Sequence, residues 1–98
     1  IFIREAYVKM TSSEAINLRI TELLKERNMS VYKLSYLAGI SNSIISDFRR
    51  GKLKEPSISS LIHICKGFGI SIKDFFDSPY FDDIEAIDRV DKTEHKIV

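Results

Sequence analysis

The stretch Ser30 to Gly51, SVYKLSYLAGISNSIISDFRRG, constrains this chain more than any other. It reads as two short helices joined by a tight turn. Ser30 stands at an N-cap position, where its hydroxyl can accept from the free N–H groups of a helix opening at Val31. Leu34, Leu37 and Ala38 follow and are expected on one buried face. Gly39 comes next, and a glycine there ends a helix in the left-handed conformation that costs other residues roughly 1 kcal/mol or more. Ile40 is expected under the turn, Ser41 as the cap of a second helix, and Ile45 and Phe48 as its docking face, with Gly51 as its stop. The outward face of that helix then carries Asn42, Ser43, Ser46, Asp47 and Arg50. This is the helix-turn-helix unit, whose usual work is to lay the second helix in a DNA major groove. The same spacing also suits an ordinary αα-corner inside a small helical domain.

From Ser30 to Phe76 the sequence resembles, without a gap, the phage repressor and Cro-like (XRE-type) helix-turn-helix family. Its pattern runs L-x-x-x-A-G-[IV]-S-x-x-x-I-S-x-x-x-x-G-x-x-x-P-[ST]-x-x-x-L-x-x-[IL]. Leu34, Ala38, Gly39, Ile40, Ser41, Ile45, Ser46, Gly51, Pro56, Ser57, Leu61 and Ile64 stand at those positions. The resemblance implies an all-α, five-helix lambda-repressor-like DNA-binding domain. It further implies a sequence-specific transcriptional regulator, acting as a repressor-like homodimer on double-stranded DNA with a palindromic operator. Asn42, Ser43, Ser46 and Asp47 are the candidate base contacts. Ser30, Lys33, Arg49, Arg50, Lys52, Lys54 and Ser57 are the candidate phosphate contacts. Two departures stand out. Val31 occupies a position where the family often has Gln. Arg49 and Leu24 stand where several members pair a recognition-helix Glu with an Arg of the first helix. Loss of both partners together replaces an ion pair, because one buried charge left alone costs several kcal/mol. Arg49 is then turned to an acid elsewhere or free to reach phosphate.

Ninety-eight residues make one domain, with an apolar fraction of 44% and a charged fraction of 30% typical of globular chains. No apolar run approaches the ~20 residues of a membrane span, no secretory signal is evident, and the single Cys65 cannot form an internal disulfide. A cytoplasmic protein is expected. The net charge of +1 conceals a segregation. Residues 1–57 hold ten Lys or Arg against six Asp or Glu, and residues 58–98 hold five against eight. Lys33, Arg49, Arg50, Lys52 and Lys54 gather around the motif, the distribution that phosphate contact calls for, although a solvated charged face reads the same way.

Residues 1–10, IFIREAYVKM, form an extension that suits a strand or a helical continuation, and Met10 is itself a candidate start. Residues 11–78 are assigned to the domain. Thr11 and Glu14 have capping-box spacing, and Ile16, Ile20, Leu23, Leu24 and Arg27 recur at helical intervals in a supporting first helix. Past the loop KLKEPS, Ser57 caps a fourth helix with Ile58, Leu61, Ile62, Cys65 and Phe68 on its apolar face. Gly69 ends it, and Ser71 caps a short fifth helix whose Ile72, Phe75 and Phe76 close the core or begin an interface. Residues 79–98 are an acidic tail in which Ile84, Ile87 and Val90 permit a short amphipathic helix, covering its own domain or forming a dimer or partner seam.

Neither a metal site nor a catalytic site is expected. His63 and Cys65 lie about 200° apart around one helix, and no phosphate-cradling glycine loop occurs. No cofactor is implied. The competing reading uses the same fold as a protein-interaction module, or as an antitoxin-like protein that holds a partner through its N-terminal or C-terminal segment.

Overall fold

The structure, a computed structural model, describes residues 10–50 and 57–85. Five helices follow one another: α1 (Ser12–Glu26), α2 (Val31–Ala38), α3 (Asn42–Arg49), α4 (Ile58–Phe68) and α5 (Ile72–Phe76). All five begin behind a hydroxyl. Thr11, Ser30, Ser41, Ser57 and Ser71 accept from the backbone N–H three residues on, at 3.0 to 3.2 Å. At Thr11 the bond is reciprocated, its own N–H donating to Glu14 Oε1 at 3.0 Å, which completes the expected capping box. Gly39 (φ 73°) and Gly69 (φ 76°) close α2 and α4 in the left-handed conformation.

Each helix sends one fully buried large side chain to a common core: Ile20, Leu34, Ile45, Ile64 and Phe75. Burying each such side chain is worth about 1.5 to 3 kcal/mol, so no helix is held by propensity alone. Arg19 ties the last helix to the first. Its Nε and Nη2 donate to the carbonyls of Phe75 and Asp74, both at 2.7 Å, and its Nη1 donates to Glu22 Oε1 at 2.9 Å. The Asp74 carbonyl also accepts from the Asp77 N–H at 3.2 Å, and Arg19 adds a charged donor at the end of this five-residue helix, where carbonyls run short of internal partners.

Three expectations need correction. Leu37 is 45% exposed. It stands six residues after Val31, about 240° around the helix, whereas Ser35, four after, occupies the buried strip and turns its hydroxyl onto the Tyr32 carbonyl at 2.8 Å. On α4 the inward strip is Leu61, Ile64, Cys65 and Phe68. Ile58, at the first position, reaches past the edge of the core at 62% exposure, and Ile62 faces outward. On α5, where either course is open, Phe75 closes the core and Ile72 and Phe76 lie at the surface, with the Phe76 ring set edge-on to Phe75 and Phe81.

The third correction concerns the tail, whose residues 79–85 dock onto the domain. Ser78 caps a short 3-10 helix, Pro79–Phe81, that lies against α1 and brings Phe81 onto the core. Ile84–Glu85 (β2) then pairs in parallel with Met10–Thr11 (β1), Met10 opposite Ile84. The expected tail helix therefore does not begin at Ile84. The exposed backbone of Met10–Thr11 offers an extended partner, whereas a short helix would carry the cost of nucleation alone. Ile87 and Val90 lie outside the described residues, as do residues 1–9; Met10, at their boundary, is in a strand.

Candidate nucleic-acid interface

The site is built by α2, the turn Gly39–Ser41 and α3. In that turn the Gly39 N–H donates to the Ser35 carbonyl at 2.9 Å and the Ile40 N–H to the same oxygen at 3.3 Å. Ile40 packs half-buried against the core, and Ser41 opens α3. Ile45 and Phe48 anchor α3 from within, so its opposite face is fixed relative to α1 and α2.

On that face Asn42 and Ser43 are exposed at the first turn, while Ser46 and Asp47 are half-buried. The Ser43 hydroxyl lies 3.3 Å from that of Ser41. Asp47 is held: its Oδ1 accepts from Arg50 Nη2 at 3.2 Å, one turn further along. An arginine beside it lowers the repulsion that a bare carboxylate would offer to phosphate, at the expense of part of the arginine's own pull. Lys33 is exposed in the first turn of α2, and Ser30 and Ser57 cap α2 and α4, where free N–H groups favour an anion. Lys52 and Lys54, with Gly51 and Pro56, lie outside the described residues.

Of the two courses expected for Arg49, an acidic partner is not found among the described residues. The side chain folds onto α1, its Nη2 3.4 Å from Thr21 Oγ1, and its Nε is buried without a partner. Leu24, the other half of the replaced pair, is buried in the core. Tyr32 and Tyr36, four apart on α2, are 74% and 75% exposed. They were legible from helical period once Leu34 and Ala38 were taken as the inward strip. Asn17 and Thr21 of α1 also border the recognition helix, and nothing in the sequence announced that Arg49 would fold across them.

His63 is exposed with Nδ1 3.1 Å from the Ala38 carbonyl, whereas Cys65 is buried on a different face of α4. Burial pushes the Cys65 thiol up, opposed by the charge of Arg19. Among the described residues no group of His, Cys, Asp and Glu could hold a metal ion, and no helix is long and apolar enough to cross a membrane.

A short second helix held rigidly behind a glycine turn, with a polar outward face and a cationic end, defines a helix-turn-helix DNA-binding domain. Residues 19–79 match the family profile of the Cro/C1-type HTH DNA-binding domain, and the chain belongs to that family. It is similar to the HTH-type transcriptional regulator PuuR of Escherichia coli (strain K12) and to PuuR of Shigella flexneri. Each is 31% identical over 61 residues, which make up 62% of this chain and 32% of the relative. The chain thus spans about a third of the length of the curated relatives it matches. Among solved structures, prophage Lp1 protein 11 superposes with a TM-score of 0.67 at 29% identity, covering 76% of this chain and 99% of that one. A complex of the SinR and SinI proteins gives 0.58 at 24% identity, covering 84% and 73%, a likeness of fold alone.

Proposed function

We propose that this chain acts in the cytoplasm as a sequence-specific, DNA-binding transcriptional regulator of the repressor type. It would bind as a homodimer on a palindromic operator. The observation that carries the reading is the presentation of α3: Ile45 and Phe48 are locked in the core, and Asn42 and Ser43 stand exposed at its leading end.

In the proposed complex α3 enters the major groove. Asn42 donates to and accepts from the edge of an adenine, N6 and N7, and Ser43 and Ser46 serve either kind of base edge. Asp47 keeps an oxygen beyond its bond to Arg50 for a cytosine N4 amino group. Lys33, Arg50, Lys52 and Lys54 hold phosphates with the capped ends of α2 and α4, at Ser30 and Ser57, which sets register without reading sequence. One domain spans one half-site, so a symmetric pair would read two half-sites about 34 to 36 Å apart. The function is binding, and no catalytic step belongs to it.

Two substitutions test the division of labour. Asn42→Ala is expected to cost about 1 to 3 kcal/mol on the preferred sequence and to relax the preference at one position. Arg50→Ala should weaken all sequences alike. Equal losses for Asn42→Ala on every duplex would remove Asn42 from base recognition.

A second reading, a protein-interaction surface, is favoured by the exposure of Tyr32, Tyr36 and Ile58. Binding through those side chains would change little with salt, whereas phosphate contact weakens steeply.

A further inference from the structure

Across α1 from the recognition helix, α5 and the 3-10 helix present apolar side chains to water. Asn17 and Thr21 of α1 border Ser46 and Arg49 of α3, whereas Leu18 and Glu22 border Tyr80, and Arg19 bonds to the end of α5. Ile72 and Phe76, four apart on one face of α5, are 36% and 38% exposed. Phe76 is held in place, its ring edge-on to Phe75 and Phe81 with centroids 5.2 and 4.7 Å away. An aromatic already fixed on one side loses little freedom when its other side is covered, which is what an interface anchor requires. Its surroundings are acidic. Asp74, Asp77, Asp82 and Asp83 are exposed on the same short stretch against one cation, Lys73, and none of the four is ion-paired among the described residues.

We propose that this face docks a cationic, apolar segment of another protein. The segment's aliphatic or aromatic side chains cover Phe76 and Ile72, and its Arg or Lys side chains meet the carboxylates. A second copy of this chain fits poorly, because a symmetric pair would set the same carboxylates against each other. With α1 standing between this face and α3, the partner and DNA are held at the same time. The inference goes beyond the DNA-binding reading, and the docking itself does not depend on it.

The whole chain is titrated with short synthetic peptides while its backbone amide resonances are followed. One peptide alternates arginine with leucine; its controls alternate glutamate with leucine and arginine with serine. The arginine-leucine peptide is expected to shift the amides of residues 72–83 to saturation, and both controls to bind severalfold more weakly, since one lacks the charge and the other the apolar contact. Phe76→Ser should weaken the arginine-leucine peptide severalfold. So should Asp77→Lys combined with Asp82→Lys, which alters only exposed side chains and carries the comparison if Phe76→Ser does not fold. Equal affinity for all the peptides overturns the site, as do shifts spread over the surface or centred on Tyr32 and Tyr36. Shifts of the same amides when the peptide-free chain is concentrated would give the face to a second copy and overturn the partner. Repeated on the chain saturated with its best duplex, the titration should give the same affinity; loss of the peptide on DNA would overturn simultaneous binding. A chain that takes the peptide and no duplex upholds this site while the DNA-binding reading fails.

Discussion

Single side chains decide how α2 meets α4 and how α1 meets α5. A Cβ on Gly67 would lie 2.8 Å from Leu34 Cδ1, 3.0 Å from Ala38 Cβ and 3.1 Å from the Ala38 backbone nitrogen. Backbone cannot yield as a side-chain tip can. Gly67→Ala should therefore destabilise the fold by about 1 to 2 kcal/mol, because overpacking outweighs the ~1 kcal/mol that alanine returns to the helix; chemical denaturation measures it. Arg19→Met removes three charge-assisted bonds that join α1 to α5 and itself, and a loss of about 2 to 3 kcal/mol is expected. Cys65 gives a pH prediction. Burial raises its pKa in the folded state, so the stability it contributes is full below the ordinary thiol value of about 8.5 and is lost as pH rises through and beyond it. Stability of the wild type should fall more steeply than that of Cys65→Ala on the alkaline side, and parallel curves would contradict the assignment.

Local rules governed the elements. The caps were legible because a hydroxyl three residues before a free N–H satisfies it whatever else the chain does, and all five form. Ser41 caps the recognition helix, so Ser41→Ala should cost about 1 kcal/mol and Ser41→Gly only a few tenths, a difference read from thermal unfolding of the two variants. Equal costs would show that the hydroxyl is not what holds the start of α3. Tertiary contacts were less legible. The three-residue recurrence of Ile84, Ile87 and Val90 permits a helix, yet the Ile84 backbone meets Met10, some seventy residues earlier in sequence, and that pairing wins. Ile58 and Ile62 looked like core because periodicity locates a face to within a residue or so, and the helix turned slightly further toward Ile64. The outward polar face of α3 was visible in the sequence, since Ile45 and Phe48 fix what must point away. The inward turn of Arg49 was not, because it depends on what α1 places beneath it.

For the whole molecule the charge distribution matters more than the charge. A sum of +1 would not draw a chain to DNA, but an excess of cations in residues 1–57 and of acids in residues 58–98 gives the protein a direction. Lys33 and Arg50 are exposed with the recognition helix, while Asp74, Asp77, Asp82 and Asp83 are exposed on the segment that follows α4. Such an arrangement orients the approach of DNA and disfavours the reverse. The most direct measurement is selection of bound sequences from a random duplex pool at moderate salt, followed by a salt titration of the best binder. The account predicts enrichment of a palindrome with half-site centres one helical turn apart, bound with an affinity that falls steeply as salt is added. Folded protein that enriches no sequence, or whose binding is indifferent to salt, would contradict it.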